Sequence, residues 1–185
     1  MKIEQTNIVG ALVFTPKVHG DSRGYFFESF NAPSFDHFGI TRPFVQDNES
    51  YSSYGILRGL HFQYPPYEQA KLVRVVEGTV LDIIVDLRKD SPSFLQSFSV
   101  ELSAENKKQL YAPRGMAHGF VTLSEKARFL YKCDQVYTPL AEGGVKFDDE
   151  TLKLDWKLSK ELISLSARDL AWGTIQQALE KYTCK

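Results

Sequence analysis

Along this chain, apolar and polar residues alternate over short stretches far more often than they recur at helical spacing. Residues 71–76, reading K-L-V-R-V-V, form one β-type run closed by Glu77-Gly78. Residues 79–87 follow as T-V-L-D-I-I-V-D-L, the alternation of a half-buried strand around Asp82 and Asp86. Residues 98–102 alternate cleanly, 110–112 resume after a polar turn at 103–108, and 127–133 predict a further strand. Helical signals are few: a short helix near 33–38, and a better one over 174–182, where Ile175, Ala178, Leu179 and Tyr182 recur at helical spacing. Many short strands separated by turns predict a sandwich or barrel. The expectation is one mostly-β domain over residues 1–185 with a few short helices, including a C-terminal helical tail over about 166–185.

Composition narrows the classes of function. A chain of 185 residues can bury a core without disulfide staples. Its 43% hydrophobic and 13% aromatic content is that of a globular protein rather than a disordered one. The formal net charge of -1, from 22 basic and 23 acidic side chains, argues against a nucleic-acid polymer as partner but leaves room for a local cluster of cations. Cys133 and Cys184 provide neither a disulfide framework nor metal-type spacing, so a reduced compartment is expected. The first residues lack the apolar segment of a signal peptide, and no run of about 18 apolar residues occurs. No membrane partner and a cytoplasmic location are the resulting expectations.

Candidate chemistry gathers around two of the four histidines. His61 lies in Arg58-Gly59-Leu60-His61-Phe62-Gln63, and His118 in Pro113-Arg114-Gly115-Met116-Ala117-His118-Gly119-Phe120. Each ends a β-type run beside glycines, where a backbone can approach a ligand closely. The pair resembles the cupin motifs: Gly55, His61, Glu68 and Gly78 echo the first, and Pro113-x-Gly115-x-x-His118 the second. Metal-binding cupins carry His-x-His, whereas Gln63 fills the second position here, leaving only His61, His118 and Glu68 as ligands. An acid–base site without a metal fits better than a metal-dependent cupin oxygenase; a non-catalytic sugar-binding barrel is a further alternative.

Other stretches are more specific. They are Asp21-Ser22-Arg23-Gly24-Tyr25-Phe26-Phe27-Glu28, Phe44-Val45-Gln46-Asp47-Asn48, Lys71-Leu72-Val73-Arg74, Phe129-Leu130-Tyr131-Lys132 and Leu165-Ser166-Ala167-Arg168-Asp169. With the two histidine blocks and Leu102-Ser103-Ala104-Glu105-Asn106-Lys107, they resemble the dTDP-4-dehydrorhamnose 3,5-epimerase family, in the family's order, over roughly residues 3–172.

That resemblance implies a cupin-like jelly-roll β-sandwich or barrel. It also implies epimerisation at C3 and C5 of dTDP-4-dehydro-6-deoxy-D-glucose to dTDP-4-dehydro-L-rhamnose, in dTDP-L-rhamnose biosynthesis. Both carbons flank the C4 carbonyl, so each proton can be removed to give an enolate. Such a reaction needs a base on one face, a proton donor on the other and a cation at the enolate oxygen, and no cofactor or metal is expected. By the resemblance, His61 is the base, Asp169 its paired carboxylate, Tyr131 the donor and Lys71 the cation near the ketone. Arg23, Arg58 and Arg168 are implied to line the substrate site, since guanidinium groups suit a diphosphate. Glu28, Gln46, Asp47, Asn48, His118 and Glu142 are implied as polar contacts, and Tyr137 as an aromatic near the substrate.

Plainer alternatives stand beside these roles. Ser166-x-x-Asp169 is also a capping box, Tyr131 suits ordinary strand packing, Asp47 and Glu142 suit turns, and Lys71 and the arginines suit a solvated surface. Arg168 stands where many relatives have Lys, and Arg114 and Met116 where many have Glu and Phe. The family's N-terminal strand typically crosses to a second subunit, implying a homodimer. The nearest competing activity is inversion of one carbon only, or action on another 4-keto nucleotide sugar, because selectivity rests on substrate pose.

Overall fold

Every strand singled out by alternation forms, within a residue or two of its expected bounds, in the computed structural model, which describes residues 1–183. In chain order the elements are β1 (Lys2–Gln5), β2 (Leu12–Thr15), β3 (His19–Asp21), β4 (Gly24–Phe26), α1 (Ala32–Asp36), β5 (Gln46–Ser53), β6 (Leu57–Gln63) and β7 (Lys71–Glu77). They continue with β8 (Thr79–Asp86), β9 (Ser97–Ser103), β10 (Gln109–Ala112), β11 (Met116–Thr122), β12 (Lys126–Cys133), β13 (Glu142–Gly144), α2 (Ala167–Leu170) and α3 (Ile175–Thr183). Two antiparallel sheets form the expected cupin-like sandwich, one in the order β1-β2-β10-β7-β12-β5 and the other β13-β6-β11-β8-β9. β3 and β4 make a separate two-stranded hairpin. Among the described residues no helix is long and apolar enough to cross a membrane.

Three apolar clusters explain the layering. Val13, Val73, Val75, Leu110 and Phe129 of the first sheet meet Val80, Ile84, Leu102 and Phe120 of the second, filling the space between them. The outer face of the second sheet, through Leu81, Ile83, Val85 and Val121, is covered by Trp156, Ile175, Ala178 and Leu179 of the C-terminal region. The outer face of the first sheet, through Leu12, Phe14 and Leu72, is covered by Phe35 and Ile40. Asn31 starts α1, its side chain accepting a hydrogen bond from the Ser34 amide at 3.2 Å.

This layering corrects two expectations. β8 is not half-buried: Val80 and Ile84 face the inter-sheet core and Leu81, Ile83 and Val85 the outer cluster, so Asp82 and Asp86 are both buried. His61 and His118 lie inside β6 and β11 rather than at their ends: β6 pairs with β11 before His61 and with β13 after it, and β11 pairs with β8 on both sides of His118. The C-terminal tail holds the expected helix as α3, with the shorter α2 before it and residues 171–174 between them; residues 184–185, with Cys184, lie outside the described residues. β1 pairs with β2 of its own chain, from Lys2 opposite Thr15 to Gln5 opposite Leu12, at the edge of the first sheet.

Asp86 shows how the sandwich tolerates a buried carboxylate. It accepts hydrogen bonds from the Arg88 amide and guanidinium, Ser91 and Ser93 at 2.6–2.9 Å, and Arg88 also donates to the Val9 carbonyl at 2.7 Å. Burial pushes the Asp86 carboxyl up, but these donors outweigh it and hold it below its ordinary value.

Candidate active site

An irregularity in β6 builds the site. His118 of β11 lies opposite His61, but Phe120 lies opposite Arg58, so three steps along β6 answer two along β11. In a regular strand, residues three apart point to opposite faces. The β-bulge turns both Arg58 and His61 toward the space between the sheets. Gly59 makes this possible: its φ is +130°, and a Cβ there would run into the backbone of His118 and Gly119.

That space is a cavity of about 720 Å³ whose walls include Arg58, His61, Lys71, His118, Tyr131 and Asp169, with Arg168 at the rim. Lys71 and Tyr131 come from the facing sheet, on neighbouring strands β7 and β12. The Lys71 ammonium lies 5.9 Å from the centre of the Tyr131 ring. Asp169 arrives from α2, tied down because the Ile56–Ser164 bridge fixes the segment before it.

His61 Nε2 lies 2.5 Å from Asp169 Oδ1. Asp169 is also capped into place: the Ser166 hydroxyl donates to Oδ2 at 2.9 Å and accepts from the Asp169 amide at 3.1 Å. The cap and the contact with His61 therefore coexist in one geometry. Burial raises the Asp169 carboxyl, but His61, Ser166 and Arg168 together outweigh burial and hold it below its ordinary value. Ser166→Ala should lower stability by about 1 kcal/mol, as loss of a helix cap does. It should also reduce turnover by freeing Asp169, checked by a thermal melt alongside initial rates.

Around this pair the charges are sharply arranged. His118 is buried, with Nε2 2.9 and 3.1 Å from the two oxygens of Asp82, and its ring stacks near Phe129. Burial pushes the His118 imidazole down despite Asp82, so it is held neutral. Burial also lowers Lys71 and raises the Tyr131 phenol, leaving Tyr131 fully protonated near neutral pH. Cys133, beside Lys71 across the strand pair, is pushed up to about 11 by burial and stays a thiol.

The remaining predicted site residues fall into three groups. Glu142 and Tyr137 join the rim through Arg168: Arg168 Nη1 is 3.2 Å from Glu142, and the Tyr137 hydroxyl donates to Glu142 at 3.1 Å. Gln46 and Asn48 are bonded to each other at 3.0 Å on β5, and Gln46 accepts from the Tyr137 amide at 2.7 Å. Asp47 is on the other face of β5, where it pairs with Lys132 at 2.6 Å. Arg23 and Glu28 do not line the cavity: Arg23 pairs with Asp21 in the exposed β3–β4 hairpin at 2.6 Å, and Glu28 accepts from Asn31 at 3.1 Å.

Sequence reasoning missed Asp82, Ser166 as a cavity wall, and Trp172, whose ring centre is 6.2 Å from that of His61. The signal for Asp82 was present as a carboxylate inside an apolar strand, but alternation made it look solvent-facing. Gln63, read as a missing metal ligand, holds a loop: it donates to the Tyr67 carbonyl and accepts from the Thr138 amide, both at 2.6 Å. Glu68 hydrogen-bonds Tyr182 of α3 instead of joining His61 and His118. Among the described residues, no three His, Cys, Asp or Glu side chains are grouped to hold a metal ion. Arg114 pairs with Asp134 at 2.8 Å, and Asp134 also accepts from the Ala70 amide beside Lys71.

Fold and cavity together define a cupin-like jelly roll with a His–carboxylate pair facing a lysine and a tyrosine across an inter-sheet cavity. The family model for dTDP-4-dehydrorhamnose 3,5-epimerase matches residues 5–177, and the chain belongs to that family. It is 50% identical over 180 residues to the dTDP-4-dehydrorhamnose 3,5-epimerase of Salmonella typhimurium, covering 97% of this chain and 98% of the relative. A crystal structure of the Elizabethkingia anophelis enzyme of that name superposes with a TM-score of 0.92 at 47% identity, covering 96% of this chain and 97% of the other. A dTDP-6-deoxy-D-glucose-3,5-epimerase from Legionella pneumophila, solved in complex with dTDP-4-keto-L-rhamnose, gives 0.91 at 44% identity, covering 96% of each chain.

Proposed function

We propose that this protein epimerises C3 and C5 of dTDP-4-dehydro-6-deoxy-D-glucose, giving dTDP-4-dehydro-L-rhamnose for dTDP-L-rhamnose synthesis in the cytoplasm. The observation that carries the proposal is the His61–Asp169 pair set in the same cavity as Lys71 and Tyr131.

In this reading His61 removes the proton from the carbon beside the C4 ketone. Asp169 holds the ring orientation and offsets the positive charge of the imidazolium, as the carboxylate of a catalytic triad does. The electron pair moves onto the ketone oxygen, where the Lys71 cation stabilises the enolate. Tyr131 returns a proton to the opposite face of the same carbon, which inverts it. Repetition at the second carbon completes the change. Proton transfer alone balances each step, so the chemistry calls for no redox cofactor. Arg58 and Arg168 are assigned to the diphosphate. Gln46, Asn48, His118, Tyr137 and Glu142 are assigned to orienting the nucleotide sugar.

Arg23 and Glu28 belong to the same proposal as residues supplied by a second copy of the chain. Two features support a homodimer. The β3–β4 hairpin pairs with neither main sheet, and Tyr25 and Phe26 on it are 62% and 70% exposed. Asp47 is retained as a contact through the strand that carries Asn48, its own side chain being committed to Lys132.

The test is proton NMR of the purified protein with dTDP-4-dehydro-6-deoxyglucose in heavy water. Deuterium entering both C3 and C5 is the expected result; entry at one carbon would make the protein a single-carbon epimerase, and entry at neither would overturn the proposal. Tyr131→Phe should keep deuterium exchange while slowing formation of the inverted product by about 10²-fold or more. Separate measurement of exchange and product checks this, since exchange needs only the base.

A further inference from the structure

Trp172 takes no part in the proton transfers, yet it stands against the proposed base. Its indole meets the His61 ring edge to face, at 6.2 Å between centres and 70° between planes. The space it occupies exists because of a glycine. Gly144 of β13 is the register partner of His61, and a Cβ on Gly144 would collide with the Trp172 indole. Gly144 is not among the residues with positive φ, so its backbone would accept alanine, and the atoms nearest to an added Cβ are those of the indole.

Two more observations separate this residue from ordinary packing. The indole N–H is buried without a hydrogen-bond partner among the described residues, whereas a buried tryptophan usually finds one. Trp172 also lines a second hollow of about 520 Å³, bordered by Glu142, Gly144, Gln177 and Lys181. The indole is thus a partition between that hollow and the His61–Asp169 pair. Asp169 and Trp172 belong to one short segment, so the same stretch of chain grips the imidazole at its nitrogen and along its ring.

We propose that Trp172 is a positioning residue that holds the His61 ring in the plane facing Asp169 and closes the pair off from water in the neighbouring hollow. This rests on the reading of His61 as the base. A base displaced by a fraction of an ångström loses rate while substrate affinity is kept.

The test compares Trp172→Phe, Trp172→Ala, Gly144→Ala and the double variant Gly144→Ala/Trp172→Ala, each checked for folding by thermal melt. With dTDP-4-dehydro-6-deoxyglucose, Trp172→Ala should lower kcat roughly ten-fold or more while KM and dTDP affinity stay within about two-fold. Trp172→Phe should recover most of the loss. Gly144→Ala should lower kcat alone but add nothing on top of Trp172→Ala, because its clash is with the indole. Unchanged kcat in Trp172→Ala, or an additive double variant, would overturn the inference.

A readout independent of turnover is the low-field proton resonance of the His61–Asp169 hydrogen bond. It should persist in Trp172→Phe and broaden or vanish in Trp172→Ala. If it persists in Trp172→Ala, the positioning role is wrong whatever the substrate. If the wild type shows the resonance but exchanges no substrate proton, the functional reading has failed and positioning is judged on the resonance alone.

Discussion

Replacing His61 by asparagine should slow deuterium entry at both C3 and C5 by about 10²–10⁴-fold, the range general-base catalysis contributes. Affinity for dTDP, measured by calorimetry, should stay within a few-fold, because the arginines assigned to the diphosphate are untouched. One residue should govern both carbons, since His118 is poorly placed to replace it. Its Nε2 is committed to Asp82 and its side chain is only 7% exposed. Burial also holds its imidazole below its ordinary value. If His61→Asn kept exchange at one carbon, that carbon would have a different base, and His118 would be the first residue to substitute next.

Lys71→Met should reduce kcat by about 10²–10³-fold, the scale of losing one group that stabilises a developing oxyanion. The same change should make the protein more stable. Lys71 is 9% exposed and, among the described residues, has no carboxylate within salt-bridge distance, although Asp82 and Glu142 lie near enough to favour its charge. A buried charge of that kind is often replaced by an apolar side chain of similar shape at a gain of about 1–4 kcal/mol. The pH dependence follows from the direction of the shift. Burial depresses the Lys71 ammonium in the folded protein below its unfolded value of about 10.4. Its destabilising effect is full below the folded value and disappears as pH rises past the unfolded one. The stability gap between Lys71→Met and wild type should therefore be largest near neutral pH and narrow toward alkaline pH. Equal stability at all pH values would mean that Lys71 is not held charged at a cost.

Much of this fold was legible because alternation survives wherever one sheet face meets the core. β7, β9, β10 and β12 were read nearly to the residue on that basis. β8 was located correctly but its surroundings were misread, since alternation cannot reveal that a second layer covers the outer face. β5, reading Q-D-N-E-S-Y-S-S, escaped prediction because its less exposed positions, Gln46, Asn48, Ser50 and Ser52, are themselves polar and give no apolar alternation.

The site was legible to a different depth. The family resemblance named His61, Lys71, Tyr131 and Asp169, and these do share one cavity. Spacing alone would have sent Arg58 and His61 to opposite faces, and a bulge is not written in any residue count. The parts of Asp82 and Trp172 in the site were hidden for another reason. Each acts through a neighbour brought close only by folding, His118 in one case and His61 in the other. Arg23 and Glu28 mark the opposite limit, since a single chain does not bring them to the cavity at all.

The His61–Asp169 pair is assembled from parts of unequal durability. His61 sits in a seven-residue strand bonded on both sides, whereas Asp169 rides on the four-residue helix α2. Short irregular segments open at free energies well below that of global unfolding. Warming should therefore release Asp169 while the barrel is intact, so heat inactivation should precede loss of the β-sheet circular dichroism signal and reverse on cooling. On this view the chain behaves as a rigid vessel with a detachable clasp: its working temperature is set by the clasp, and strengthening the core further would not raise it.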